Sequence, residues 1–305
     1  MPRRERDRLA DSPRHRPGMA SVRNCARASL FLLVAMAAAA TAADAPVRAY
    51  VETSYVVAPE RVAGFRLADA RFDPQNKYAG AGFTYKADED PRPVISVFVY
   101  PAGRMAQDEA LRDGMAAFRH DLQRARETGT YDRLETGIED AFPLAAHSDA
   151  SDTSDLSQDA ELLATIASYS RIDGRRLGLK AHLARQDLEL RSVGFLFYRQ
   201  LYYFKVRVSV EAGAMASDAF DRFADRAART LVPAIQAVHV GDCANASITV
   251  PDDNPEEAAR ILVREATLQQ GYNCHADRMA AGIDALSRDA RVIEIGYTAN
   301  EWKTQ

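Results

Sequence analysis

The residues best placed to do chemistry are Tyr198, Tyr203, Lys205 and Arg207, within LELRSVGFLFYRQLYYFKVRVSVE at positions 188–211. Two phenols and two cations on one side of extended chain suit an anionic or aromatic group, through charge-assisted hydrogen bonds and stacking. The competing reading is an ordinary sheet face, either wet or covered by a helix with its long stems packed and its charges at the edge.

Catalytic frames are missing elsewhere. There is no GxSxG elbow, phosphate loop, HExxH pair or dinucleotide fingerprint. His120, His147, His182, His239 and His275 are scattered without metal-ligand spacing, so no metal and no cofactor is expected. The acidic segment HSDASDTSDLSQDAE (147–161) raises the question of calcium. A calcium loop wants Gly at its sixth position and Glu at its twelfth; counted from Asp149 these are Ser154 and Ala160, so a surface loop is expected. Catalysis by a triad assembled from distant positions is compatible with such a sequence, but a non-catalytic role is the better expectation.

The element that must position the four polar residues is a β-hairpin. Tyr202, Phe204, Val206, Val208 and Val210 alternate with polar residues, and Val193, Phe195 and Phe197 do the same in the preceding arm. With Arg199-Gln200 as the turn, Phe197 faces Tyr202, Phe195 faces Phe204 and Val193 faces Val206. Both apolar sets then share one side, and a one-residue slip would send one of them into water. Gly194, placed near Lys205, leaves room above the opposite face.

Further strands are predicted over 49–57, 64–72, 78–87 and 93–100, the last apolar on both faces as an interior strand should be. Leu111, Met115, Phe118 and Leu122 predict one stripe of a helix over 105–127. Asp173-Gly174 between apolar runs reads as a hairpin turn, with a helix over 159–169 as the competing assignment. A second helix, capped by Ser217, carries Phe220, Phe223, Ala227, Leu231 and Ile235, and Pro233 kinks or ends it. The tail opens with Asn254-Pro255-Glu256-Glu257, a strong helix start. Its stripe is Ala258, Ile261, Leu262 and Ala266; another helix near Met279, Ile283 and Leu286 and a strand over 291–297 follow.

These elements predict an α+β fold: an antiparallel sheet with long helices packed on it, as two strand-pair-plus-helix units, and a small, mostly helical C-terminal appendage. The element order over residues 50–240 resembles the PsbP-like fold, an antiparallel sheet sandwiched by helices. That resemblance implies a binding or assembly factor without catalysis. In character the chain also resembles exported proteobacterial proteins.

Arg23 and Arg27 precede the apolar run Ser29–Met36, and Ala40-Thr41-Ala42 and Ala43-Asp44-Ala45 supply small-x-small ends. This is the pattern of a secretory signal cleaved between Ala42 and Ala45. Met19 gives such a signal ordinary proportions, so residues 1–18 read as an extension. The organisation expected is therefore 1–45 signal and extension, 46–241 an α+β domain, and 242–305 an appendage. Residues 1–45 hold eight Arg against Glu5, Asp7, Asp11 and Asp44, a net of +4, so the chain's −4 leaves −8 on residues 46–305. A strongly acidic remainder argues against nucleic acid as a partner and against electrostatic adhesion to anionic lipid. No stable membrane span is expected in the mature chain. Cys243 and Cys274, an even pair in an exported chain, predict a disulfide.

The function expected is that of a periplasmic or secreted binding or assembly factor, its partner an envelope protein or a small ligand. The alternatives are an envelope hydrolase with two converging carboxylates and a structural envelope protein.

Overall fold

The structure is a computed structural model and describes residues 48–144, 166, 171–251 and 254–302. The secretory signal, the acidic segment with its calcium question and the alternative helix over 159–169 lie outside the described residues, apart from Ile166.

Strands dominate. They are β1 (Thr53–Pro59), β2 (Arg61–Val62), β3 (Phe65–Phe72), β4 (Ala81–Ala87), β5 (Val94–Pro101), β6 (Tyr131–Ala141), β7 (Gly174–Leu183), β8 (Leu188–Arg199), β9 (Tyr202–Glu211), β10 (Gln236–Val240), β11 (Cys274–His275) and β12 (Ala290–Gly296). The helices are α1 (Gln107–Glu127), α2 (Ser217–Ala234), α3 (Pro255–Gly271) and the single turn α4 (Ile283–Leu286). The expected fold of long helices packed on one antiparallel sheet is overturned. Strand outweighs helix, and the strands form two sheets: eight strands in the order β2-β3-β4-β5-β9-β8-β7-β6, and four in the order β11-β10-β1-β12. The reason is long-range pairing. β1 hydrogen-bonds to β10 on one side and to β12 on the other, so segments from both ends of the chain make a sheet that no local pattern announces. Residues 242–305 thereby contribute β11 and β12 to it.

The hairpin at the centre of the large sheet is β8–β9. Its turn is Gln200-Leu201, one residue later than the sequence suggests, so Phe197 faces Phe204, Phe195 faces Val206 and Val193 faces Val208. Parity is unchanged, and Phe195, Phe197, Phe204 and Val206 are all fully buried in one cluster. Both turn residues hold left-handed φ, 50° and 59°, which a two-residue hairpin turn demands and Asn-Gly normally supplies. Tertiary contacts offset the cost here. Leu201 is buried in the core, Gln200 Oε1 accepts from Ala237 N at 2.8 Å and Gln200 O accepts from His239 Nε2 at 2.7 Å. The hairpin tip is thus clamped to β10.

The inner face of the large sheet packs against α2 and the small sheet in a single core, joining Phe83, Ile95, Val97 and Phe204 to Phe220, Ala224, Leu231, Val56, Ala237 and Ile295. Burying each large side chain contributes about 1.5–3 kcal/mol. Part of the outer face takes α1, whose stripe Met115, Phe118 and Leu122 meets Leu177, Leu179 and Leu196. Two details differ from expectation. The residue in the cap position of α2 is Ala216, with no side-chain cap bond. Asp173-Gly174 is not a hairpin turn, because β7 begins at Gly174 and pairs with β6 and β8. Glycine is required there because a side chain would run into the Phe197 ring.

Candidate functional site

The sequence-predicted face lies under α1 and its flanks. Tyr198 Oη donates to Gly103 O at 2.8 Å and accepts from Met105 N at 3.2 Å. Tyr203 Oη donates to Ala110 O at 3.0 Å. Lys205 Nζ sits 3.6 Å from Asp121 Oδ2 and over the rings of Phe98, Tyr100 and Phe118; burial lowers its pKa, against the pull of Asp121. Arg207 donates to Tyr131 Oη at 2.6 Å. Gly194 pairs with Arg207 rather than lying near Lys205. The room it leaves is taken by Phe118, since a methyl at 194 would come within 2.5 Å of that ring. The four residues do share a face, and each makes a polar contact within the protein, with Arg207 Nε buried and without a partner among the described residues. Beside them the outer face continues uncovered as a shallow groove over Gly82, Thr84, Ser96 and Phe98.

A polar cleft of about 540 Å³ opens elsewhere, between α3 and the loop that follows β10. Its wall from α3 is Ile261, Glu265 and Gln269, one helical face at i, i+4, i+8. The opposite wall is Asp242, Asn245, Ser247 and Thr249, and Tyr50 and Arg104 complete the lining. The local fold explains this placement. Asn254 caps α3 by accepting from Glu257 N at 3.1 Å, with Pro255 in the first turn. Cys274 follows the end of α3 and forms the predicted disulfide with Cys243, their Cα atoms 5.9 Å apart, so the bond ties one wall to the other. Cys243 N donates to Tyr50 O at 2.9 Å and Asp242 N to Ala49 O at 3.0 Å, which seats Tyr50 beneath the loop.

The chemistry of the cleft is mixed. Tyr50 Oη and Gln269 Oε1 are buried without a hydrogen-bond partner among the described residues. Burial raises the Tyr50 pKa, and the Arg104 charge opposes that shift. The Arg104 guanidinium lies over the Tyr272 ring, 5.9 Å from its centroid, and its hydrogen bond to Tyr272 raises its own pKa. Arg264 Nε donates to Glu265 Oε1 at 3.0 Å, and Asn245 Nδ2 to Asp242 Oδ1 at 3.1 Å.

The histidines do not converge. His239 and Ser54 are both fully buried. His239 Nε2 donates to the Gln200 carbonyl, so its Nδ1 accepts from Ser54 Oγ at 2.8 Å. A serine–histidine pair closed off in this way is a structural link between the small sheet and the hairpin tip, not a nucleophile. His182 lies between Asp132 Oδ1 at 2.6 Å and Asp187 Oδ1 at 3.0 Å. Among the described residues no three His, Cys, Asp or Glu are grouped to hold a metal ion, and no helix is long and apolar enough to cross a membrane.

The cleft leaves no pattern in the sequence because its lining comes from positions near 50, 104, 245 and 265. One signal was present: Glu265 and Gln269 continue the face of Ile261. The stripe read instead included Leu262, which is half exposed, and α3 has no fully buried residue. No known protein family matches the chain, and no curated protein is significantly similar to it.

Proposed function

We propose that the protein is an exported, non-catalytic binding factor of the cell envelope that holds a small ligand in the cleft between α3 and the loop after β10. The observation that carries the reading is the cleft itself, about 540 Å³ in volume and lined from separate parts of the chain by Tyr50, Arg104, Asp242, Ser247, Glu265 and Gln269. A concave site of this size with a few convergent polar groups is the usual form of a ligand pocket. Export is supported by the signal pattern in residues 1–45 and by the disulfide.

The test is to purify the mature protein natively and analyse the small molecules it releases on unfolding. Wild type should release one compound in stoichiometric amount. Ser247→Trp, which fills the cleft from an exposed wall position, should release none while melting at the same temperature. Equal release from both proteins, or none from wild type with no ligand-dependent stabilisation by compartment extract, refutes the proposal.

A second reading, an envelope hydrolase, is favoured by one observation: Asp242 and Glu265 line the same cleft. Each is already engaged, by Asn245 and Arg264 respectively. An acid catalyst needs the opposite, a carboxyl kept protonated by an apolar setting. Turnover of envelope polymer abolished by Glu265→Gln would establish the hydrolase.

A further inference from the structure

We infer that the seat of Trp302 is a docking slot for an extended protein segment that carries an aromatic residue directly preceded by a carboxylate, and that the chain's own residues 298–302 fill it in the resting molecule. The slot is separate from the cleft and does not depend on how the cleft is read. Trp302 is the one tryptophan of the sequence. It lies beyond β12, in no strand or helix, yet it is only 5 % exposed. Its ring stacks on Tyr202 with centroids 6.1 Å apart, meets Tyr297 edge-on at 5.1 Å and lies 6.1 Å from His239. Tyr202 and His239 belong to β9 and β10, and Tyr297 N donates to Glu52 O at 2.7 Å. The core therefore builds the slot, and the segment only occupies it. The rest of the seat reads charge and backbone. Lys77 Nζ lies 2.8 Å from Glu301 Oε1 and donates to Gly296 O at 3.0 Å, and Tyr78 Oη donates to Glu301 O at 2.8 Å. These contacts ask for a carboxylate, main-chain carbonyls and a ring one residue further on.

Three features mark 298–302 as an exchangeable occupant. It pairs with no strand, so it leaves without breaking either sheet, and its anchors Lys77, Tyr78 and Glu301 are open to water. Trp302 Nε1 is buried without a hydrogen-bond partner among the described residues, a cost that a phenyl ring in the same slot does not carry. A void of about 120 Å³ between Trp302, Glu301, Tyr78 and the backbone of residues 101–103 leaves one side of the slot loosely filled. The Lys77 hydrogen bond lowers the Glu301 pKa to about 2, so ordinary acid does not release the segment and a competitor must. A second copy is the less favoured competitor. Residues beyond Gly296 reach at most about 3.5 Å each, which would force together two bodies whose residues 46–305 each carry −8.

The test uses the intact mature chain, with Trp302 as its reporter, and synthetic peptides of residues 298–305. A peptide carrying Trp302→Phe fits the slot and adds no tryptophan signal. As it displaces the native segment, Trp302 emission should move to longer wavelength and saturate. The midpoint should lie at about millimolar peptide, because a short tether holds the native segment at an effective concentration of that order. A peptide carrying Trp302→Ala should have no effect. One carrying Trp302→Phe and Glu301→Gln should need about tenfold more, the equivalent of one charge-assisted hydrogen bond. Lys77→Ala protein should melt at nearly the same temperature and respond equally to the Glu and Gln peptides. Emission unshifted at every peptide concentration makes 298–302 a fixed part of the core and overturns the proposal. Equal shifts from the Phe and Ala peptides overturn the aromatic slot, and equal potency of the Glu and Gln peptides on wild type overturns recognition of the carboxylate. Dimers that grow with protein concentration while Trp302 stays buried assign the slot to a second copy and overturn the choice of partner.

Discussion

Acid should weaken this protein through His239. The imidazole is fully buried between Ser54 Oγ and the Gln200 carbonyl, and burial lowers its pKa from 6.5 to about 4. The unfolded chain takes up this proton below about pH 6.5, whereas the folded protein does so only below about pH 4. Between those values the unfolded state binds more protons, so stability is complete above the unfolded value and falls as pH falls. A gap of about 2.5 units at 1.36 kcal/mol per unit is about 3 kcal/mol, some 300-fold in the folding equilibrium. Every carboxylate that loses a partner also titrates near the bottom of this range, so the effect must be isolated. His239→Gln provides the control, because a neutral amide at the same position has no proton to gain. Urea unfolding of both proteins, in steps from about pH 7 to about pH 4, should show wild type losing about 3 kcal/mol more than the variant. Parallel curves, or an imidazole signal for His239 that titrates near pH 6.5, would refute the assignment of a buried neutral histidine.

Other perturbations have equally definite outcomes. His182 carries the opposite sign: the Asp132 hydrogen bond raises its pKa, with a smaller contribution from Asp187. Its contribution to stability is complete below the unfolded value and is lost as pH rises through the raised folded value. Asp132→Asn should therefore bring the His182 NMR titration to lower pH. Reducing the Cys243–Cys274 bond, which closes a loop of 31 residues, should cost about 3–4 kcal/mol on the chain-entropy account, read from urea unfolding with and without reductant. Gly194→Ala should destabilise by about 1–3 kcal/mol through overpacking against Phe118; an unchanged midpoint would show that α1 is less tightly seated than described.

What was legible in the sequence was local. Alternation over residues 193–210 assigned both faces of the hairpin, and the spacing of Leu111, Met115, Phe118 and Leu122 placed α1, because side-chain periodicity reports which way a residue points. The exact turn was missed because Gln200-Leu201 is held by Ala237 and His239 from outside the hairpin, a reason that no turn preference contains. The small sheet was missed because β1 finds its partners about 180 and 240 positions further along the chain. The face of Tyr198, Tyr203, Lys205 and Arg207 was identified as a face, but what lies over it depends on the docking of α1. The cleft was illegible for the same reason as the small sheet: its polar groups are individually ordinary, and only the fold and the disulfide bring them together.

The central claim is that the cleft between α3 and the loop after β10 receives a small ligand. A high-resolution crystal structure of the mature protein, purified without unfolding, tests it most directly. The expected result is density for a non-protein group between α3 and residues 245–249. A cleft empty of any non-protein group, or one closed by α3 packing onto the loop after β10, would contradict it.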